Sequence, residues 1–159
     1  MVVKTSLNDL DEILIIYKNA REFMKSHGNP TQWKDNRPST SSIIEDINNG
    51  HHYKIMDNDK IVGVFSFYIG IDPCYNHIEG KWLNDDEYGV IHKIASTYEK
   101  KGILSECLSF VETKIKNIRI DTHKDNLVMQ NALAKFEFKE CGIIYVDDGT
   151  PRIAYQRTS

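Results

Sequence analysis

One segment, Val90 to Phe110 (VIHKIASTYEKKGILSECLSF), constrains the fold of this chain more than any other. It reads as a strand, a short basic loop around a single glycine, then an amphipathic helix. A turn of that kind gathers unpaired backbone N–H groups and the positive end of a helix dipole at one point. That point suits an anion, most often a phosphate. Lys100 and Lys101 stand beside it, although the chain as a whole carries a formal charge of −3. The positive charge is therefore local, and a phosphate-bearing cofactor is the first ligand to expect.

The 159 residues suit a single domain, 1–159, with a real hydrophobic core. The net negative charge disfavours non-specific binding to nucleic acid or an anionic membrane. No apolar run reaches the roughly 18 residues that would span a bilayer. The N-terminal stretch MVVKTSLNDLDEILII turns acidic at once and has no apolar signal-peptide core. The three cysteines, Cys74, Cys107 and Cys141, form no CxxC pair and fit a reducing cytoplasm.

Periodicity supplies the elements. Val2 to Lys4 is a candidate strand. Ser6 and Asp9 form a capping box, and Leu7, Leu10, Ile13, Leu14, Tyr17, Ala20 and Met24 follow at helical spacing. Gly28, Asn29 and Pro30 stop that helix. A second short helix is expected over Ser41 to Asn48. His52 to Met56 and Lys60 to Ile71 read as two strands joined at Asp57-Asn58-Asp59; the second is apolar on both faces and belongs in the middle of a sheet. Tyr88 to Ile94 is a further strand, and Ile118 to Asp121 a short one. A helix over Asn126 to Phe136 should turn Leu127, Leu133 and Phe136 inward. Two strands, Cys141 to Val146 and Ile153 to Gln156, complete the pattern. The order predicts an α/β fold with a mixed sheet.

With this order, the stretch from Ile94 resembles the acetyl-CoA motif of the GNAT (Gcn5-related) N-acetyltransferase family: Gln or Arg, two residues, Gly, one residue, and Gly or Ala. Those six positions are Glu99, Lys100, Lys101, Gly102, Ile103 and Leu104, of which the central glycine alone matches. Asn126 fits the Asn that commonly opens the family's next helix. NPTQW at Asn29 to Trp33 and HKIAS at His92 to Ser96 also look like stretches of bacterial members. The resemblance implies the GNAT fold, a central mixed, mostly antiparallel sheet flanked by helices. It also implies acetyl-CoA as co-substrate and transfer of its acetyl group to an amine of a small molecule or peptide. The alternative is a catalytically inactive GNAT-fold protein that binds acyl-CoA or another ligand, and a third reading is an interaction module without a CoA site. A homodimer is compatible with the sequence. Three departures bear on these readings. Glu99 brings a negative charge near the expected pyrophosphate, Leu104 replaces a small residue, and the family's usual Tyr and Gly near the end of the later helix fall on Leu133 and Glu137.

By the resemblance, Ile94, Ala95 and Ser96 pair with the pantetheine arm, and Lys100, Lys101, Gly102, Ile103, Leu104 and Ser105 cradle the pyrophosphate. The other reading of Lys100 and Lys101 is a solvated loop pair. Deprotonating a lysine-like amine at pH 7 costs about 4–5 kcal/mol, so a base should face the acceptor. His92, two residues before Ile94, is the first candidate; a core or edge histidine with a satisfied ring is the other reading. Asp86 and Glu87 are candidates acting through water, or solvated loop charges. With Leu133 at the usual Tyr position, Tyr145 is the substitute general acid, or a packed strand tyrosine. Tyr17, Phe23, Trp33 and Tyr75 are candidates for the acceptor pocket, each also readable as core. Asp121, His123 and Asp125 have the side chains of metal ligands, but their spacing does not close a site, so a turn with capping by Asp125 is expected instead. Cys107 falls on an apolar helix face and reads as a small hydrophobe.

Overall fold

The computed structural model describes residues 1–34 and 36–159. Strand β1 (Val2–Lys4) leads through a 3₁₀ turn into helix α1 (Leu10–Ser26), followed by α2 (Thr40–Asn48) and the hairpin β2 (His52–Asp57) and β3 (Lys60–Ile69). Then come a two-residue strand β4 (Glu79–Gly80), β5 (Gly89–Ser96), α3 (Ile103–Glu112), β6 (Ile118–Thr122), α4 (Leu127–Lys135), β7 (Lys139–Tyr145) and β8 (Pro151–Arg157). The strands form one sheet in the order β1-β2-β3-β5-β6-β8-β7-β4. It is mixed and mostly antiparallel, with β5 and β6 its parallel pair. Periodicity alone did not indicate β4, which is too short to carry any.

The apolar patterning fixes the layers. On one face, Ile13, Ile16, Tyr17 and Ala20 of α1 and Ile43 and Ile47 of α2 pack on Ile61 and Val64. On the other, Ile103, Cys107, Leu108 and Val111 of α3 and Leu133 of α4 pack on Val62, Phe65, Phe67 and Ile91. Strand β3 therefore needs both faces apolar, as its position between two strands and two helical layers requires. Ser6 N–H donates to Asp9 Oδ2 at 3.0 Å, as the capping box demands. Ser39 caps α2 by accepting from Ser42 N–H at 3.2 Å, so that helix starts one residue before the expected Ser41.

Two expectations for α4 are corrected. Asn126, not Asp125, is its cap, with the side chain accepting from Met129 N–H at 3.1 Å. Leu127, expected inward, is 65% exposed because the first turn of α4 overhangs a cleft rather than the sheet. At the other end of α4, Glu137 occupies the left-handed region at φ 67°, at the position where the resemblance expects a glycine, and Phe138 N–H closes the turn onto Leu133 carbonyl.

Two irregularities shape the centre. Strands β5 and β6 pair only at Gly89–Ile118 and Val90–Arg119. Beyond these residues β5 follows β3 and β6 follows β8, so the two diverge into a wedge. Within β5, Ala95 faces Val64 and His92 faces Ser66, which leaves Lys93 and Ile94 opposite Phe65 alone. This is a β-bulge, with Lys93 at φ 54°. At Gly63 a Cβ would lie 2.8 Å from Ile103 Cγ2, so a glycine there lets the start of α3 approach the sheet.

Candidate active site

The wedge holds two adjoining cavities. The larger, about 540 Å³, lies between β5, β6, the loop after α1 and the start of β8. The smaller, about 200 Å³, runs between the end of β5, the start of α3, the start of α4 and the end of α1. Met24, Ile94, Asn126 and Met129 border both and mark where they meet.

His92 faces the larger cavity, its side chain 31% exposed. Its Nε2 lies 2.7 Å from Asp72 Oδ2. Asp72 is held in turn: its Oδ1 accepts from Cys74 N–H at 2.9 Å, and its own N–H donates to Tyr88 Oη at 3.0 Å. An ionised Asp72 accepts the Nε2 proton, so the neutral ring keeps its free lone pair on Nδ1. That atom is 3.9 Å from Asp121 Oδ2, beyond hydrogen-bond reach. Tyr75 Oη donates to the same carboxylate oxygen of Asp121 at 2.6 Å. Burial works against the imidazolium of His92, but the Asp72 hydrogen bond and the charges of Asp121 and Asp72 outweigh it and raise its pKa above the ordinary value of 6.5. Asp72 itself is desolvated, yet the bond from His92 holds its pKa below the usual carboxylate value.

The predicted residues divide accordingly. Trp33 borders the larger cavity and meets Tyr17 edge-to-face, ring centres 5.8 Å apart. Tyr75 is buried one layer behind, its ring 6.0 Å from that of His92. Tyr17 is fully buried, donating to Lys93 carbonyl at 2.8 Å and meeting His52 Nε2 at 2.8 Å; it supports the bulge instead of lining a pocket. Phe23 belongs to the smaller cavity, stacked between His27 at 3.8 Å and Tyr98 at 4.1 Å. The structure does not bring Tyr145 to either cavity. It stands 41% exposed on β7 and donates to Glu79 at 2.9 Å. Asp86 and Glu87 lie in the exposed loop before β5 and border neither cavity.

Ile94, Ala95, Ser96, Ile103, Leu104 and Asn126 all line the smaller cavity. Gly102 is the N-cap of α3 at φ 81°, a left-handed conformation that favours glycine. The first amides of α3 have no partner within the helix. Lys100 is bound to Glu106 at 2.6 Å, whereas Lys101 is exposed. Glu99 is ion-paired with Lys60, which offsets the charge that set this loop apart from the family motif. Ser105 follows in the first turn, half-buried and outside the cavity lining.

Several site residues gave no signal of their own in the sequence. Asp72 lies just past the expected strand Lys60 to Ile71 and carries no signal there, and Asp121 has one only as a metal-ligand type. The structure separates the Asp121, His123 and Asp125 triplet: Asp121 joins His92 and Tyr75, while His123 Nε2 meets Thr31 Oγ1 at 2.9 Å and its Nδ1 accepts from Asp125 N–H at 3.0 Å. Cys74 borders the larger cavity with its thiol pushed up to about 11, chiefly by burial, so it is a poor nucleophile. Asn29 is 3% exposed on the smaller cavity; its Nδ2 donates to Gln32 Oε1 at 3.0 Å, while its Oδ1 has no partner among the described residues. A buried carbonyl left open is suited to an amide N–H from a ligand.

No family profile matches the chain, and no curated protein does. Solved structures do match. A GNAT-family acetyltransferase from Streptococcus agalactiae 2603 is similar over 100% of this chain and 95% of its own, with 29% identity and a TM-score of 0.89. A GNAT-family acetyltransferase from Listeria monocytogenes 4b F2365 covers 99% of this chain and 93% of its own at 17% identity, TM-score 0.73. A ribosomal-protein-alanine N-acetyltransferase from Brucella melitensis covers 100% and 99% at 15% identity, TM-score 0.66. The last two speak for the fold alone.

Proposed function

Because the chain shares the fold of the GNAT acetyltransferases, we propose that it is an acetyl-CoA-dependent N-acetyltransferase acting on an amine of a small molecule or peptide. The observation that carries this reading is the meeting of the two cavities at Ile94 and Asn126, with His92 two residues before Ile94 on the larger side. The residues fit the co-substrate. The smaller cavity offers an apolar slot, the open Oδ1 of Asn29 and the edge of β5 for an amide-bearing arm. The start of α3 offers amides and Lys101 for a pyrophosphate.

Bound acetyl-CoA supplies an acetyl group activated as a thioester. His92 Nδ1 takes the proton of the acceptor ammonium, leaving the amine lone pair free, and the imidazolium so formed is stabilised by Asp72 and Asp121. Tyr75 orients Asp121, and the turn at Pro73–Tyr75 fixes Asp72. The raised pKa of His92 makes it a better proton acceptor than an unperturbed imidazole. Solvent reaching the larger cavity then receives the proton.

Calorimetry with acetyl-CoA, with CoA as reference, and amine-dependent release of free thiol test this reading. Micromolar binding with turnover is expected. Binding without turnover on a broad amine panel would leave a ligand-binding protein, and no binding would overturn the reading. Asn29→Ala is expected to weaken acetyl-CoA about tenfold, the loss of one buried hydrogen bond. An unchanged dissociation constant would remove Asn29 from the site.

A further inference from the structure

The charges around the larger cavity are unevenly paired. His92 is matched by Asp72, Lys93 holds Asp46 at 2.6 Å, and Arg37 contacts Asp147 at 2.7 Å and Asp148 at 3.5 Å. Arg152 differs. It is 5% exposed, and among the described residues its guanidinium donates only to uncharged oxygens: Gln32 carbonyl at 3.0 Å, Thr150 Oγ1 at 3.0 Å and Pro151 carbonyl at 2.9 Å. Among the described residues no carboxylate lies within ion-pair distance of it. Asp121, Asp148 and Asp147 attract this guanidinium from farther off without a hydrogen bond to it, and its planar fork is the shape a carboxylate matches.

Gln32 stands beside it on the same wall. Its Oε1 accepts from Asn29 Nδ2 at 3.0 Å and Asn126 Nδ2 at 3.1 Å, which fixes the amide so that its NH₂ end is left for the cavity. The register of β6 with β8, Thr122 opposite Ile153, sets Arg152 just past the end of β6, across the wedge from His92 on β5. One wall thus offers Asp72 and His92 to a cationic amine and the other a guanidinium and an amide to an anion, with Asp121 of β6 near both.

We propose that Arg152 and Gln32 form a carboxylate subsite, and that the acceptor is a small amine-bearing carboxylic acid of the amino-acid type. This rests on the larger cavity being the acceptor site. A singly charged carboxylate suits a lone guanidinium flanked by Asp121 and Asp147, both bordering the same cavity; a dianionic phosphate would meet repulsion there. A polyamine would leave Arg152 facing like charge.

The test is calorimetry without acetyl-CoA, using leucine, phenylalanine and lysine, each against its own carboxamide. At least one acid is expected to bind about tenfold or more tightly than its amide, the strength of a charge-assisted pair. Arg152→Gln should erase that preference by weakening the acid alone, and Arg152→Lys should retain part of it. If Arg152→Gln does not fold, Gln32→Glu, which sets a carboxylate beside the guanidinium, should likewise abolish the preference. Equal affinities within every pair, no binding of any acid, inorganic phosphate competing more strongly than the acids, or equal losses for acid and amide would each overturn the subsite. A preference for the acid without acetyl transfer would sink the transferase reading and leave the subsite standing. Transfer to acid and amide alike would do the reverse.

Discussion

His92→Gln is expected to lower the rate of acetyl transfer by roughly 10²–10⁴-fold, the usual contribution of a positioned general base, with little change in acetyl-CoA affinity. His92 borders the larger cavity and not the smaller, so the two effects should separate. The pH profile makes the expectation sharper. A base works deprotonated, so the wild-type rate should rise with pH through a midpoint above the ordinary histidine value of 6.5, as the raised pKa requires. Asp72→Asn keeps the oxygen that accepts from Cys74 but loses the acceptor for His92 Nε2. Its midpoint should therefore move down and its rate at pH 7 change with it. A variant His92→Gln within threefold of wild type at every pH would take His92 out of the mechanism.

The second large effect is on stability. His52 is fully buried. Because Tyr17 donates to Lys93 carbonyl, His52 Nε2–H donates to Tyr17 Oη, and Nδ1 accepts from Thr5 Oγ1 at 2.8 Å. Both nitrogens are satisfied in the neutral ring. Burial therefore depresses its pKa from 6.5 to about 4, against the attraction of nearby Asp46 and with the help of Lys93. The unfolded chain binds a proton here that the native state refuses, so stability is full above pH 6.5 and falls as pH drops towards 4. The loss is about 3 kcal/mol, from about 1.36 kcal/mol per unit. His123, also depressed by burial, adds to the slope in the same direction. His92, raised, acts oppositely: its contribution is present below 6.5 and lost as pH rises through its folded pKa. Urea unfolding between pH 4 and 8 should thus show a maximum near 6.5. His52→Gln, whatever its absolute stability, should flatten the acid limb, and an unaltered slope would exonerate His52.

Much of the fold was legible because apolar residues recur at the period of the element they build. The α1 stripe, the two-faced β3 and the Gly102 turn before α3 all depend on spacing within a dozen residues. Leu127 failed for a local reason. Its position suits a helical core face, but that turn of α4 borders the smaller cavity and does not pack on the sheet. The aromatics divide for a related reason: patterning marks Tyr17, Phe23, Trp33 and Tyr75 as apolar, yet not what each is packed against, and Trp33 borders the larger cavity while Tyr17 is buried beneath the bulge. The bulge at Lys93 is likewise invisible, since it exists only in the register of β5 against β3.

The sequence by itself determined most of the elements and the anion-suited turn at the head of α3, because each follows from short-range spacing, while the resemblance and the intrinsic chemistry of an imidazole nominated His92. The tertiary structure alone decided what surrounds that histidine. Asp72 and Asp121 reach it from separate strand ends, Tyr75 stands behind, and Arg152 closes the far wall beside Gln32, 120 positions earlier in the chain. These groups converge because β5 and β6 part after a single pair of matched residues on each strand, and a charge has its chemical meaning only from the neighbours that such a convergence supplies.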